Sequence, residues 1–322
     1  MTPSAATMQS SRTLQVLFYN PDPDSHAGWL QLLGEALPGA VVRLWQPGDD
    51  AAADYALVWQ QPAALLQKPR GLKAVFNLGA GVDAVLKQLA GQPDLPLIRI
   101  DDGAMAIQMA EYACYGVLHY FRQFDRYGQQ ARDGQWIRHA PRDKSQFTIG
   151  ILGLGVLGSR IAQALRHFDF PVQGWTRSPR PASDIPVFHG PDGLRQLLRS
   201  SNLVVCMLPL TGETRGLLNR AALEQLPLGS YIINMARGAH LVQDDLLALI
   251  RNGHLAGAML DVFDEEPLPP QHPYWHEPRI TITPHISAKT VRAESIRQIT
   301  QKIAALECGE SVAGFVDRSK GY

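Results

Sequence analysis

Residues 148–160, Thr-Ile-Gly-Ile-Leu-Gly-Leu-Gly-Val-Leu-Gly-Ser-Arg, restrict the fold more than any other stretch of the chain. An apolar, β-type run over 148–152 breaks at Gly153-Leu154-Gly155, and a helical pattern follows over 156–165. In this G-x-G-x-x-G spacing each glycine has its own task. Gly153 permits the tight turn off the strand, Gly155 lets backbone approach a pyrophosphate, and Gly158 allows the helix to pack closely on the sheet. The helix start adds unpaired N–H groups and the positive end of the helix dipole. A glycine-rich turn alone can be only a turn. The strand before it, the helix after it and a second strand over 171–176 make a dinucleotide site the better reading. Almost half of the chain precedes the motif, so a second domain must be built mostly from the N-terminal half.

The length of 322 residues is comfortable for two such domains. Thirty basic residues balance 30 acidic ones, which leaves no electrostatic reason to expect DNA, RNA or an anionic membrane surface as partner. No run approaches the ~18 apolar residues of a membrane span. Cys114, Cys206 and Cys308 are far apart, form no C-x-x-C and read as buried thiols in a reducing compartment. The first twelve residues lack a basic stretch followed by an apolar one and read as a loose tail, not a signal peptide. The expectation is a soluble, cytoplasmic protein.

Strands are expected over 14–19, 41–45, 55–59, 74–77 and 97–100, with Ser25 capping a helix that carries Trp29, Leu30, Leu33, Ala36 and Leu37 on one face. One long helix over 105–131 then leads toward the glycine motif. Beyond it come strands over 171–176, 203–208, 231–234, 256–262 and 279–283, and helices near 194–198, over 244–252 and over 289–307. Strands alternating with helices predict parallel α/β architecture in both halves.

Four stretches carry candidate chemistry. Arg237, just after the 231–234 strand, can present a two-pronged donor to a carboxylate, or it can be a surface salt bridge. Asp261, Asp264, Glu265 and Glu266 lie close together, as in a solvated loop, yet Asp261 ends an apolar strand, where open parallel sheets bind ligands. His285 follows Pro284 at another strand end. A lone histidine is more often structural, but a Glu–His pair favours protonated imidazole and suits a proton donor. The Gly79-Ala80-Gly81 loop offers N–H groups to an anion, or is merely a turn. Serine-hydrolase and P-loop signatures are absent, and Pro273 argues against His272 and His276 sharing a helix face, so no metal site is expected.

At the end of the second strand of the nucleotide fold an acidic residue would bind a ribose 2′-hydroxyl. The chain instead reads Thr176-Arg177-Ser178-Pro179-Arg180. Two arginines and two hydroxyls favour a 2′-phosphate, hence NADP(H) over NAD(H).

Leu78-Gly-Ala-Gly-Val-Asp83, Met109-Ala-Glu111-Tyr112, Gly153-x-Gly-x-x-Gly158 and Leu208-Pro-Leu-Thr211 occur in that order. Asn234-Met-Ala-Arg237-Gly238, Leu260-Asp-Val-Phe263 with Glu266-Pro267, and Thr283-Pro-His285 follow. Together they resemble the D-isomer-specific 2-hydroxyacid dehydrogenases over nearly the whole chain. More narrowly, Arg43-Leu-Trp45-Gln-Pro-Gly-Asp49, Ala53-Asp-Tyr-Ala-Leu-Val-Trp59 and Asp317-Arg-Ser-Lys-Gly-Tyr322 are similar to the glyoxylate/hydroxypyruvate reductase branch.

That resemblance implies a two-domain α/β protein. A Rossmann-type doubly wound parallel sheet (108–285) would be inserted in a smaller flavodoxin-like substrate domain (1–107 plus 286–322). It implies catalysis by Arg237, Glu266 and His285, and reduction of small 2-oxo acids such as glyoxylate and hydroxypyruvate. Substrate would meet Trp45, Leu78, Gly79, Ala80, Gly81, Arg237 and His285, with the two domains closing on it. Cofactor contacts would come from Gly153, Gly155, Val156, Leu157, Gly158, Thr176, Arg177, Ser178, Leu208, Pro209, Thr214, Ala236 and Asp261, the last on the nicotinamide carboxamide. It also implies a homodimer formed through the nucleotide domains. Other D-2-hydroxy acids remain alternative substrates. A nucleotide-sensing regulator on the same fold is the alternative function, although sensing alone has no use for a proton donor.

Overall fold

Val16, Leu17 and Phe18 are wholly buried and enter opposite faces of one sheet in turn, as neighbours on a strand must. In the computed structural model, which describes residues 12–67, 70–179 and 183–321, they lie in β1 (Gln15–Tyr19). Helix α1 (Pro23–Ala36) and strands β2 (Val41–Leu44) and β3 (Tyr55–Val58) follow. Next come α2 (Ala63–Gln67), β4 (Ala74–Asn77), α3 (Asp83–Gln88) and β5 (Leu97–Arg99). The sheet runs β2-β1-β3-β4-β5 with every pair parallel, the order of flavodoxin-like folds. Ser25 does not cap α1. Asp22 does, accepting the Asp24 N–H at 3.2 Å, while the Ser25 hydroxyl donates to the Asp22 carbonyl at 2.8 Å. The aspartate wins because Pro23 occupies the first helical position, where a missing N–H costs nothing.

The expected helix over 105–131 is two helices, α4 (Met105–Phe121) and α5 (Phe124–Arg132). Gln123 is left-handed at φ +58 and buried, its amide donating to the Ala140 carbonyl at 2.9 Å. That contact with a distant loop leaves no mark on local periodicity. Then come β6 (Ile149–Leu152), α6 (Val156–His167), β7 (Val172–Thr176), β8 (Val187–His189), α7 (Gly190–Arg199) and β9 (Leu203–Cys206). The unit continues with α8 (Arg220–Leu223), β10 (Ser230–Asn234), α9 (Gln243–Arg251), β11 (Leu255–Leu260) and β12 (Ile280–Ile282). This sheet is wholly parallel in the order β12-β11-β10-β9-β6-β7-β8. Chain direction across it reverses between β6 and β9, the switch point of a doubly wound sheet, where ligands bind beyond the strand ends. Apolar clusters cover both faces: Val204, Ile232, Ala258 and Leu260 on one, Ile149, Ile151, Val205 and Ile233 on the other. That two-sided burial explains the unbroken apolar runs of these strands.

Helix α10 (Arg292–Glu307) belongs with the first sheet, packing Ile296, Ile299 and Ile303 beside Trp29 and Leu33 of α1. The chain thus divides into a first unit, the described residues to Gly103 with Val291–Lys320, and a second unit, Ala104–Thr290. Both divisions lie just ahead of helices, at the starts of α4 and α10.

Cys114 and Cys206 are buried as expected, but Cys308 is exposed at the end of α10. Among the described residues no helix is long and apolar enough to cross a membrane, and no cluster of metal-ligating side chains forms. Of the expected tail, residues 1–11 lie outside the described residues, as does Tyr322.

Candidate active site

The turn from β6 into α6 lies at the switch point. Gly153 has φ +97, closed to most side chains, and a Cβ on Gly158 would run into the Gly153 carbonyl. Gly155 caps α6, and the place where its Cβ would stand has no atom within 4 Å. An open backbone at the start of a twelve-residue helix fits a pyrophosphate. Val156 is exposed and Leu157 half-buried in that first turn, while Gly158 faces inward.

Thr176 ends β7, its hydroxyl donating to the Ser178 carbonyl at 2.8 Å. Arg177 donates to Glu213 at 3.1 Å, an ion pair with both side chains well exposed. Arg180 lies outside the described residues. Glu213 belongs to a loop closed internally by Thr214, whose hydroxyl donates to the Pro209 carbonyl at 2.7 Å and accepts the Thr211 N–H at 2.8 Å. Leu208, buried, anchors that loop to the core, and the buried His240 ring lies 3.2 Å from the Pro209 carbonyl.

Beyond β10, the buried Asn234 pins the next turn. Its Nδ2 donates to the Arg237 carbonyl at 2.9 Å and its Oδ1 accepts the Ala236 N–H at 3.3 Å. Arg237 is half-buried and donates to the Ala236 carbonyl at 2.7 Å. Asp261, directly after β11, is wholly buried, unlike the exposed Asp264, Glu265 and Glu266. Its carboxylate accepts from the Thr283 hydroxyl (2.6 Å) and the Ile286 and Ser287 N–H groups (both 2.8 Å), and its carbonyl accepts from His285 N–H (2.9 Å). His285 is thereby held at φ +55, a left-handed conformation that costs an L-residue roughly 1–2 kcal/mol.

Glu266 Oε1 accepts the Phe263 N–H at 2.9 Å, and Oε2 lies 2.7 Å from His285 Nδ1. The Glu266 bond raises the imidazole above its ordinary 6.5, against burial and the Arg237 charge, with Asp261 adding to the rise. Burial pushes the Glu266 carboxyl up, but the bonds from His285 and Phe263 and the charges of His285 and Arg237 outweigh it and hold it below 4.5. The two shifts run in opposite directions, and each favours the ionic form of the pair. With Nδ1 on Glu266, the proton on Nε2 is the one available for transfer.

Residues 115–287 match the family model "D-isomer specific 2-hydroxyacid dehydrogenase, NAD binding domain". A D-isomer specific 2-hydroxyacid dehydrogenase from Xanthobacter autotrophicus Py2, solved with NADPH and MES, superposes with a TM-score of 0.91 at 38% identity, over 97% of this chain and 100% of that one. The chain belongs to the D-isomer-specific 2-hydroxyacid dehydrogenases. An NADPH-dependent glyoxylate/hydroxypyruvate reductase from Sinorhizobium meliloti, solved with NADP and sulfate, superposes at 0.89 with 33% identity over 97% and 100% of the two chains. A probable 2-hydroxyacid dehydrogenase from Rhizobium etli CFN 42, with NADP, HEPES and L(+)-tartaric acid, gives 0.88 at 29% identity over the same shares. The dehydrogenase is an NAD(P)-dependent oxidoreductase of small 2-hydroxy and 2-oxo acids.

The other substrate candidates of the dehydrogenase lie in its first unit. Trp45 is 5% exposed, packed edge-on to Tyr19 at 5.8 Å. Leu78 is buried, and the Asn77 amide donates to the Gly79 and Gly81 carbonyls at 2.7 and 3.0 Å. Because a trans peptide opposes its C=O and N–H, the Ala80 N–H points away from Asn77. Sequence reasoning assigned no task to Asn234, Glu213, His240, Tyr112 or Thr283. Tyr112 reads as core on an apolar helix face, and Thr283 as the end of a strand. Only the pairing of segments far apart in sequence reveals their contacts.

Proposed function

We propose that this dehydrogenase is an NADPH-dependent reductase of small 2-oxo acids, glyoxylate and hydroxypyruvate foremost, of the glyoxylate/hydroxypyruvate reductase A type. The observation that carries the reading is the 2.7 Å His285–Glu266 pair with the Arg237 charge acting on both. Arg237 grips the substrate carboxylate and polarises the keto oxygen through a two-pronged guanidinium. His285 donates the Nε2 proton to that oxygen, and Glu266 keeps the ring charged and oriented. When bound, reduced nicotinamide supplies the hydride that the carbonyl carbon takes up. Proton and hydride together convert the ketone to a secondary alcohol, and glyoxylate's aldehyde to a primary one. Trp45 and the Leu78–Gly81 loop are assigned to substrate, the Ala80 N–H being the donor that the Asn77 bonds leave outward. Asp261 is assigned to the nicotinamide end, and Leu208, Pro209, Thr214 and Ala236 to the cofactor's flank.

The preference for NADPH rests on Thr176, Arg177 and Ser178 at the end of β7, where no carboxylate ends the strand. The Xanthobacter and Sinorhizobium relatives, solved with NADPH and NADP, support it. The oligomer is assigned as a homodimer through the second unit, where Tyr115, Phe124 and Trp136 are 59, 50 and 94% exposed. Light scattering at micromolar concentration gives twice the chain mass if this is right.

A panel of 2-oxo acids assayed with NADPH and NADH tests the function. Glyoxylate and hydroxypyruvate turn over with the highest kcat/KM, and NADPH has the lower KM. A larger 2-oxo acid that outperforms both, or an Arg177→Asp variant that keeps the wild-type NADPH preference, overturns the corresponding assignment.

A further inference from the structure

Behind the His285 turn a row of hydroxyls leads back to helix α4. The Tyr112 hydroxyl lies 2.6 Å from Thr283 Oγ1, and Thr283 Oγ1 lies 2.6 Å from Asp261 Oδ1. Chemistry sets the direction of this chain. A carboxylate can only accept, so Thr283 donates to Asp261 and its lone pairs receive the Tyr112 proton. Burial raises the Tyr112 phenol well above its ordinary value, reinforced by the Asp261 charge against the Thr283 bond, so the tyrosine keeps that proton at neutral pH. Asp261 itself is wholly buried and accepts the N–H groups of Ile286 and Ser287, the two residues directly after His285, so a shift of its carboxylate is passed to the His285 turn.

We propose that Tyr112 and Thr283 are positioning residues for proton transfer: with Asp261 they form a strut from α4 to the 283–287 turn that keeps His285 Nδ1 on Glu266. The proposal rests on the assignment of His285 as the proton donor. The turn needs such a strut because His285 is left-handed and its ring is 42% exposed, so neither backbone preference nor close packing alone fixes the imidazole. Glu266 reaches the ring from a different loop, and small movements of the turn change their separation. The charged groups acting on the ring are Glu266, Arg237 and Asp261. Loss of the strut weakens the Glu266 bond first, which is the largest of the effects that raise the imidazole.

Thr283→Val removes the hydroxyl with little change of shape, Tyr112→Phe removes the outer link, and Thr283→Ser keeps the link. Two readouts on the full-length protein decide the matter. The first is the NMR titration of the His285 imidazole without cofactor, its resonance assigned by its loss in His285→Asn. The second is kcat and KM for glyoxylate. Thr283→Val moves the titration toward 6.5 and lowers kcat about 10- to 100-fold, the cost of misplacing a reacting group, with KM little changed. Tyr112→Phe does the same to a smaller extent, and Thr283→Ser restores both. If Thr283→Val and Tyr112→Phe lower Tm but leave titration and kcat at wild-type values, the residues are merely structural and the proposal fails. If His285→Asn itself retains kcat, the proton-donor assignment fails instead, and the titration still reports whether the strut acts on the ring.

Discussion

His285 and Glu266, 2.7 Å apart, are the side chains to which the proposed mechanism gives the proton and its counter-charge. The Glu266 bond raises the imidazole above 6.5, so its proton is lost only as pH climbs through the raised value. The carboxyl is lowered below 4.5, so its charge persists until pH falls through the lowered value. Reductive kcat/KM therefore declines on an alkaline limb as pH rises through the raised imidazole value. Glu266→Gln removes the main cause of the rise, and the limb moves to lower pH in a pH–rate profile. A limb that stays in place takes Glu266 out of the role. Arg237→Ala removes the carboxylate anchor and costs roughly 2.7–4 kcal/mol in kcat/KM, the order of a lost transition-state donor. Near-normal kinetics in that variant would remove Arg237 from the mechanism. These residues were legible because each follows an apolar strand in a distinctive setting. Tyr112 and Thr283 were not, since a hydroxyl's partner 171 positions away leaves no trace in local pattern.

At the scale of elements, the proposed chemistry falls on strand ends and the turns after them, and two glycines separate packing from binding. A Cβ on Gly238 would meet the backbone of Phe263 and Asp264, in the loop that brings Glu266 to His285. Gly238→Ala accordingly destabilises by about 1–3 kcal/mol in urea unfolding and lowers kcat/KM as well, because backbone has to move. At Gly155 the corresponding space is open. Gly155→Ala keeps the stability to within about 0.5 kcal/mol while the KM for NADPH rises, since the new methyl meets only the cofactor. Equal loss of stability in the two variants would contradict this division. The strands of both sheets except β8, which carries no long apolar run, were readable from their apolar runs, within a residue or two at most ends. The break between α4 and α5 was not, because it depends on the Gln123 side chain reaching Ala140.

For the whole molecule, cofactor binding is linked to stability. A ligand held only by the native second unit at a hundredfold excess over its Kd adds about 2.7 kcal/mol. Thermal unfolding with NADPH therefore shifts upward, and NADH at the same concentration shifts it less if Arg177 meets the 2′-phosphate. Equal shifts would argue against a preference. The chain by itself determined the alternation of strands and helices, the parallel sheets and the glycine turn, because periodicity, turn chemistry and two-sided burial are local properties. Family motifs added the roles proposed for Arg237, Glu266 and His285. Tertiary structure alone decided that Asp261 is wholly buried beneath the His285 turn and that Arg177 pairs with Glu213. Each of these joins segments distant in sequence, and only the folded chain brings their atoms within bonding distance.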